Sequence, residues 1–133
     1  MPPGTPQTIL IIDDDAGVRK VAARRLEQEG YRVLAAENGQ QGLALASAEH
    51  PHLILLDIIM PGIDGREVLR RLHTDAATSG IPVILLTVVG KGEEISTPAG
   101  PLQGAYVAHL AKPYQPHELL QTIRAALSRR TGQ

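Results

Sequence analysis

One segment, Leu53-Ile-Leu-Leu-Asp-Ile-Ile-Met-Pro-Gly-Ile-Asp-Gly65, limits the possible folds more than any other. An unbroken apolar run closed by turn residues suits a strand covered on both faces, the usual state of a central parallel strand. The run ends in Asp57, and a carboxylate is costly to bury unless the strand end has a use for it. Pro61, Gly62 and Gly65 then turn the chain before a helix over Arg66 to His73. This puts Asp57 at the carboxyl end of a strand, where open α/β sheets place their ligand sites.

The remaining chain repeats the rhythm. Met1 to Gln7, rich in proline, reads as a loose tail. Thr8 to Ile12 forms a first strand, ending in Asp13-Asp14-Asp15. Ala16 to Glu29 carries Val18, Val21, Ala22, Arg25 and Leu26 at helical spacing, and Gly30 stops it. Tyr31 to Ala36 is a second strand, and Gly39 to Glu49 a second helix with Leu43, Leu45 and Ala46 expected inside. A fourth strand is expected over Ile81 to Thr87, a fifth over Ala105 to Leu110, and a last helix over Pro116 to Arg130. In that helix Leu119, Leu120, Ile123 and Leu127 form the apolar stripe. Between strands four and five, Gly90, Gly92, Pro98, Gly100 and Pro101 oppose a long helix and predict a shortened or irregular one. Strands alternating with helices imply parallel βαβ units, so the expected fold is α/β, a doubly wound five-stranded parallel sheet in the flavodoxin-like order 2-1-3-4-5. The expected boundaries are a tail over 1–7, one domain over 8–130 and a short tail over 131–133.

Composition removes several functions. The chain has 133 residues, 43% hydrophobic and 20% charged, enough for one domain with one core. Thirteen basic and fourteen acidic residues give a net charge of −1, which argues against nucleic acid as the main partner. Without cysteine there is neither disulfide nor thiol chemistry. No run approaches the roughly 20 apolar residues of a membrane span, and no signal-peptide pattern opens the chain. A cytoplasmic protein is expected.

The chemistry collects at strand ends: Asp13 and Asp14 after the first, Asp57 after the third, Thr87 after the fourth, Lys112 after the fifth. In the 2-1-3-4-5 order the first and third strands are neighbours, so three carboxylates converge and repel unless a cation joins them. An all-oxygen cluster on open loops suits Mg²⁺. Asp15 reads as a helix N-cap rather than a ligand, and Asp64 as a turn residue. His50, His52, His73 and His117 read as surface residues, with no pair spaced for zinc.

Ile11-Ile-Asp-Asp-Asp15, Leu55-Leu-Asp-Ile-Ile-Met-Pro-Gly-Ile-Asp-Gly65, Leu85-Leu-Thr87 and Ala111-Lys-Pro-Tyr114 appear in order at successive strand ends. With these motifs the chain, from Thr8 to Arg130, resembles a response-regulator receiver domain of bacterial two-component signalling. The resemblance implies that Asp57 is the phospho-acceptor, with Lys112 and Thr87 as the other reactive-site residues. It implies Mg²⁺ held by Asp14, Asp57 and the Ile59 carbonyl, with Asp13 acting through water. It also implies a cis bond before Pro113. The phosphoryl donor would be a sensor histidine kinase or phosphotransfer protein, and the output an unidentified protein partner, with no output domain after Arg130.

Several departures matter. The position three before the lysine, usually Tyr or Phe and moving with the threonine as a switch, is His109, while Tyr106 lies six before it. Val88 is bulkier than the usual small residue, and Ile59 and Val89 are apolar where many members position a hydrolytic water, so slow autodephosphorylation is expected. The irregular 90–104 segment occupies the face by which many receivers dimerise, which leaves a monomer or weak dimer. Two other functions compete. A pseudo-receiver would bind its partner without phosphorylation, but such domains have lost an acid, the threonine or the lysine, and none is lost here. An aspartyl-nucleophile phosphatase would carry an acid at Ile59. The chain is therefore expected to catalyse no more than its own phosphorylation and slow dephosphorylation. A dinucleotide-binding reading fails because no Gly-x-Gly-x-x-Gly follows Ile12.

Overall fold

A computed structural model describes residues 6–58, 65–88, 105–112 and 114–131, with the side chains of 87, 88 and 129–131 outside the description. The expected irregular helix within 90–104, the Asp64 turn and the Pro113 bond lie outside the described residues. The elements are β1 (Thr8–Ile12), α1 (Ala16–Gln28), β2 (Arg32–Ala36), α2 (Gly39–Glu49), β3 (Leu53–Asp57), α3 (Gly65–Thr74), β4 (Val83–Val88), β5 (Ala108–Lys112) and α4 (Pro116–Thr131). The five strands form one parallel sheet in the order β2-β1-β3-β4-β5.

Strand period decides how the two faces are filled. Ile9, Ile11, Leu53, Leu55, Ile84 and Leu86 point to one face, where Ala22 and Leu26 of α1 and Leu119, Leu120, Ile123 and Leu127 of α4 cover them. Leu10, Ile12, Ile54, Leu56, Val83 and Leu85 point to the other, under Ala46 of α2 and Val68, Leu69 and Leu72 of α3. Every residue of β1 and β3 is buried, whereas β2 and β5 at the edges are partly open. Each fully buried Leu or Ile contributes about 2 kcal/mol of transfer free energy, so the central strands fix the sheet.

The helix ends follow their sequence signals. Asp15 caps α1 by accepting from the Val18 amide at 3.1 Å, and Asn38 caps α2 by accepting from Gln41 at 2.8 Å. Gly30, with φ of 96°, turns the chain after α1.

Several expectations are corrected. β5 runs over Ala108–Lys112 rather than Ala105 to Leu110, because its register with β4 begins at Ile84 opposite Ala108 and ends at Val88 opposite Lys112. β4 likewise starts at Val83, since Pro82 has no amide hydrogen for the ladder. α3 begins at Gly65, whose amide donates to the Ile58 carbonyl at 2.7 Å. In α2 the buried residues are Gly39, Gly42 and Ala46, while Leu43 and Leu45 are only half-buried. On α1, Val21 points outward and is 69% exposed.

Candidate phosphoryl-acceptor site

The register brings the acids together. Ile12 pairs with Leu56 across β1 and β3, so the next residues, Asp13 just past β1 and Asp57 at the end of β3, stand side by side. Carboxylate oxygens of Asp13, Asp14 and Asp57 all lie within 4.8 Å of one another. Asp13 is wholly buried and Asp57 is 4% exposed, while Asp14 is exposed. At that separation and an effective dielectric near 20, each charged pair repels by ~3.5 kcal/mol.

Lys112 counters part of this. From the end of β5 its ammonium donates to Asp13 Oδ2 at 2.9 Å and to Asp57 Oδ2 at 3.2 Å. Burial alone would lower the Lys112 pKa, but its hydrogen bond to Asp13 and the charge of Asp57 outweigh that, so the net shift is upward. Lys112 is therefore a fixed cation. Three carboxylates against one ammonium still leave negative charge in excess, and the donors are hard oxygens on the open end of the sheet. That donor set fits Mg²⁺, which favours carboxylates and keeps waters for a shared anion.

Asp13 is pinned at every polar group. Its amide donates to the Ala36 carbonyl at 3.1 Å, and its Oδ1 accepts from the Asp15 amide at 3.0 Å. Its carbonyl accepts from Arg19 Nη1 at 2.7 Å. Tyr114 stands half-buried beside the site, its phenol pKa raised chiefly by burial, with the Lys112 charge acting against that shift and the acids adding to it.

On the Asp57 side the floor is Gly65. A Cβ there would press on the Asp57 carbonyl oxygen and on Ile58 Cα, far inside contact distance, so the first residue of α3 must lack a side chain. α3 thus abuts the backbone that carries Asp57.

The expected site residues are placed as follows. Asp13, Asp14, Asp57 and Lys112 converge. Thr87 lies in β4 opposite Ala111, next to Leu86, the partner of Asp57, and its side chain is outside the description. Ile59 lies outside the described residues. His109 is exposed on β5 opposite Leu85, its ring edge-on to Tyr106 at 6.4 Å and 74°. It is not drawn into the acid cluster. Asp15 does cap α1, and His50, His52, His73 and His117 are exposed. Arg19 carried no sequence signal, because a side chain reaching back six residues to a backbone oxygen leaves no periodic or motif trace.

Comparison with known proteins agrees with this geometry. The family model for the response regulator receiver domain matches residues 9–124. The phosphate regulon transcriptional regulatory protein PhoB of Pseudomonas aeruginosa is 46% identical over 129 residues, covering 95% of this chain and 53% of PhoB. This chain thus spans about half the length of that regulator. Protein PilH of the same organism is 44% identical over 120 residues, covering 90% of this chain and 97% of PilH. Among solved structures, a CheY-like receiver domain protein from Methanospirillum hungatei JF-1 superposes with a TM-score of 0.80 at 29% identity, covering 95% of this chain and 97% of that one. A receiver domain from Methanoculleus marisnigri JR1 does so with a TM-score of 0.69 at 35% identity, covering 94% and 99%. On the match over residues 9–124 and the 44% identity to a relative covered almost end to end, the chain belongs to the response-regulator receiver domain family.

Proposed function

We propose that this receiver accepts a phosphoryl group on Asp57 from a sensor histidine kinase or phosphotransfer protein, and signals by protein–protein contact in its phosphorylated state. The supporting observation is the convergence of Asp13, Asp14 and Asp57 within 4.8 Å, with Lys112 bonded to two of them. In the reaction an Asp57 carboxylate oxygen attacks the phosphorus of a phosphohistidine in line. The P–O bond forms as the P–N bond breaks, and the electron pair leaves with the imidazole nitrogen.

Lys112, cationic throughout the neutral range, faces the oxygens of the incoming group, while Asp13 holds its ammonium in place. Thr87 donates its hydroxyl to a phosphoryl oxygen. Asp14, Asp57 and the Ile59 carbonyl would hold Mg²⁺, with Asp13 acting through water. When bound, that ion supplies positive charge that offsets the charge on the transferring phosphoryl group. His109, exposed on β5, is the switch position that reports the change to a partner.

The test is incubation with a small P–N donor such as phosphoramidate, read by intact mass. Wild type should gain one phosphoryl group with Mg²⁺ and none with a chelator, and Asp57→Asn should gain none. Equal labelling of Asp57→Asn, or labelling indifferent to divalent cations, would refute the assignment. A protein that binds its partner tightly yet takes no label from any donor would favour the pseudo-receiver.

A further inference from the structure

The geometry points to Arg19 as a positioning residue for Asp14, acting through the peptide bond that joins Asp13 to Asp14. This inference rests on the Mg²⁺ site proposed above and adds a residue to it. Asp13 has no exposed surface, and its carbonyl lies one residue past the last β1–β3 pair, where among the described residues no strand supplies a donor. A buried carbonyl needs a partner. Arg19 gives one from the first turns of α1, its Nη1 donating at 2.7 Å, while its own amide donates to the Asp15 carbonyl at 2.9 Å.

The effect is local and mechanical. The Asp13 carbonyl and the Asp14 amide belong to one planar unit, so fixing the carbonyl orients the Asp14 backbone. Asp15 is fixed on the other side, its amide to Asp13 Oδ1 and its own carboxylate to the Val18 amide. Asp14 is thus an exposed acid on a backbone held at both neighbours, free to adjust mainly through its side-chain torsions. Such outer contacts orient metal ligands, and their loss typically weakens metal binding about 10- to 100-fold.

A rival explanation predicts the opposite sign. As a charge alone, the Arg19 guanidinium repels an incoming cation, so removing it should tighten Mg²⁺ binding. As a clamp, removing it should loosen binding. The experiment is Mg²⁺ titration of the unphosphorylated protein by calorimetry and amide NMR, for wild type, Arg19→Gln and Arg19→Lys. Glutamine is too short to span the same distance and carries no charge, whereas lysine retains a charged donor of similar reach.

Arg19→Gln should bind Mg²⁺ about tenfold more weakly, with shifted Asp14 and Asp15 amide signals. Arg19→Lys should recover part of the affinity. Phosphoryl acceptance by Arg19→Gln should approach the wild-type rate once Mg²⁺ is saturating, because the defect lies in binding. Unchanged or tighter binding by Arg19→Gln, beside a wild type that binds, would overturn the Arg19 assignment alone. A wild type that binds no Mg²⁺ would overturn both this and the site reading. Should Arg19→Gln not fold, Arg19→Met, of similar length but without a donor or charge, decides: weaker Mg²⁺ binding supports the clamp, and binding equal to or tighter than wild type refutes it.

Discussion

Gly65→Ala should reverse the usual effect of its kind. In a helix, replacing Gly by Ala ordinarily stabilises by about 1 kcal/mol, because alanine has less backbone entropy to lose. At Gly65 the added methyl would lie against the Asp57 carbonyl oxygen, Ile58 Cα and the Ile58 carbonyl oxygen. All three are backbone atoms, so no side-chain rotation relieves the clash, and α3 or the end of β3 must move by about 1 Å. Against backbone on all three sides the overpacking cost lies at the upper end of its usual range, about 3 kcal/mol, so a net loss of about 2 kcal/mol remains after the helical gain. With an unfolding entropy of ~2.1 cal/mol/K per residue, the 133 residues make this a fall in Tm of ~7 °C. Because the shifted backbone carries Asp57, phosphoryl acceptance should fall on the order of 100-fold, the penalty for misplacing a reacting group by about 1 Å. Gly80→Ala, where nothing lies within 4 Å of the new methyl, is the control and should be neutral or slightly stabilising. Circular-dichroism melts with phosphorylation time courses read both effects. A Gly65→Ala protein as stable as wild type would show that α3 does not rest on the Asp57 backbone.

Other consequences can be measured separately. A double-mutant cycle on Lys112→Met and Asp13→Asn should give a coupling of about 2 kcal/mol, since the pair is buried at the acid and largely covered at the lysine; additivity would deny the link. Because the Lys112 pKa is raised, this contribution should be fully present below pH ~10.5 and fade only as pH climbs through the higher folded value, so alkaline melts of Lys112→Met should lack that decline. Glu67, hydrogen-bonded by Arg70 and Arg71 on α3, has its pKa lowered from 4.5 to about 2. Its contribution is complete above pH 4.5 and lost as pH falls toward 2, so Glu67→Gln should flatten the acid limb of stability over that window; an unchanged limb would mean that the pairs do not form in solution. Aspartyl-phosphate decay should be slow and should quicken in Ile59→Asn, which offers a polar group to a hydrolytic water; rapid decay indifferent to that change would contradict the expectation. His109→Ala should alter partner binding while leaving phosphoryl acceptance intact, and loss of acceptance would remove His109 from the output role.

The fold was legible where burial is two-sided. Leu53 to Asp57 and Thr8 to Ile12 read as strands from short apolar runs bounded by turn residues, and both prove to be central strands buried along their whole length. It was less legible at the edges. Ala105 to Leu110 has the composition of a strand, yet the ladder with β4 takes Ala108 to Lys112, because pairing partners rather than local propensity set an edge strand. In α2 the inner face went to Gly42 because the helix lies so close to β1 that a Cβ there would come within 2.5 Å of Ile12 Cδ1. Hydrophobicity favours Leu43 and Leu45 for that face; the space available favours glycine.

The site divides along the same line. Acids at the ends of neighbouring strands are visible in sequence because strand order turns them into neighbours, and Lys112 is visible because it ends the strand on the far side of β4. What sequence does not show is why two nearly buried carboxylates are tolerated. Asp13 and Asp57 share the Lys112 ammonium, and the hydrogen bonds on Asp13 from Asp15 and Arg19 satisfy its other oxygens, so the fold holds an internal counterion where, in the proposed reaction, an arriving phosphoryl group would need positive charge. The arrangement that makes the acids bearable at rest would, on the proposed function, also prepare the site for an anion: phosphoryl oxygens would take up the Lys112 donors that Asp57 now shares, leaving Asp13 to hold the lysine from behind.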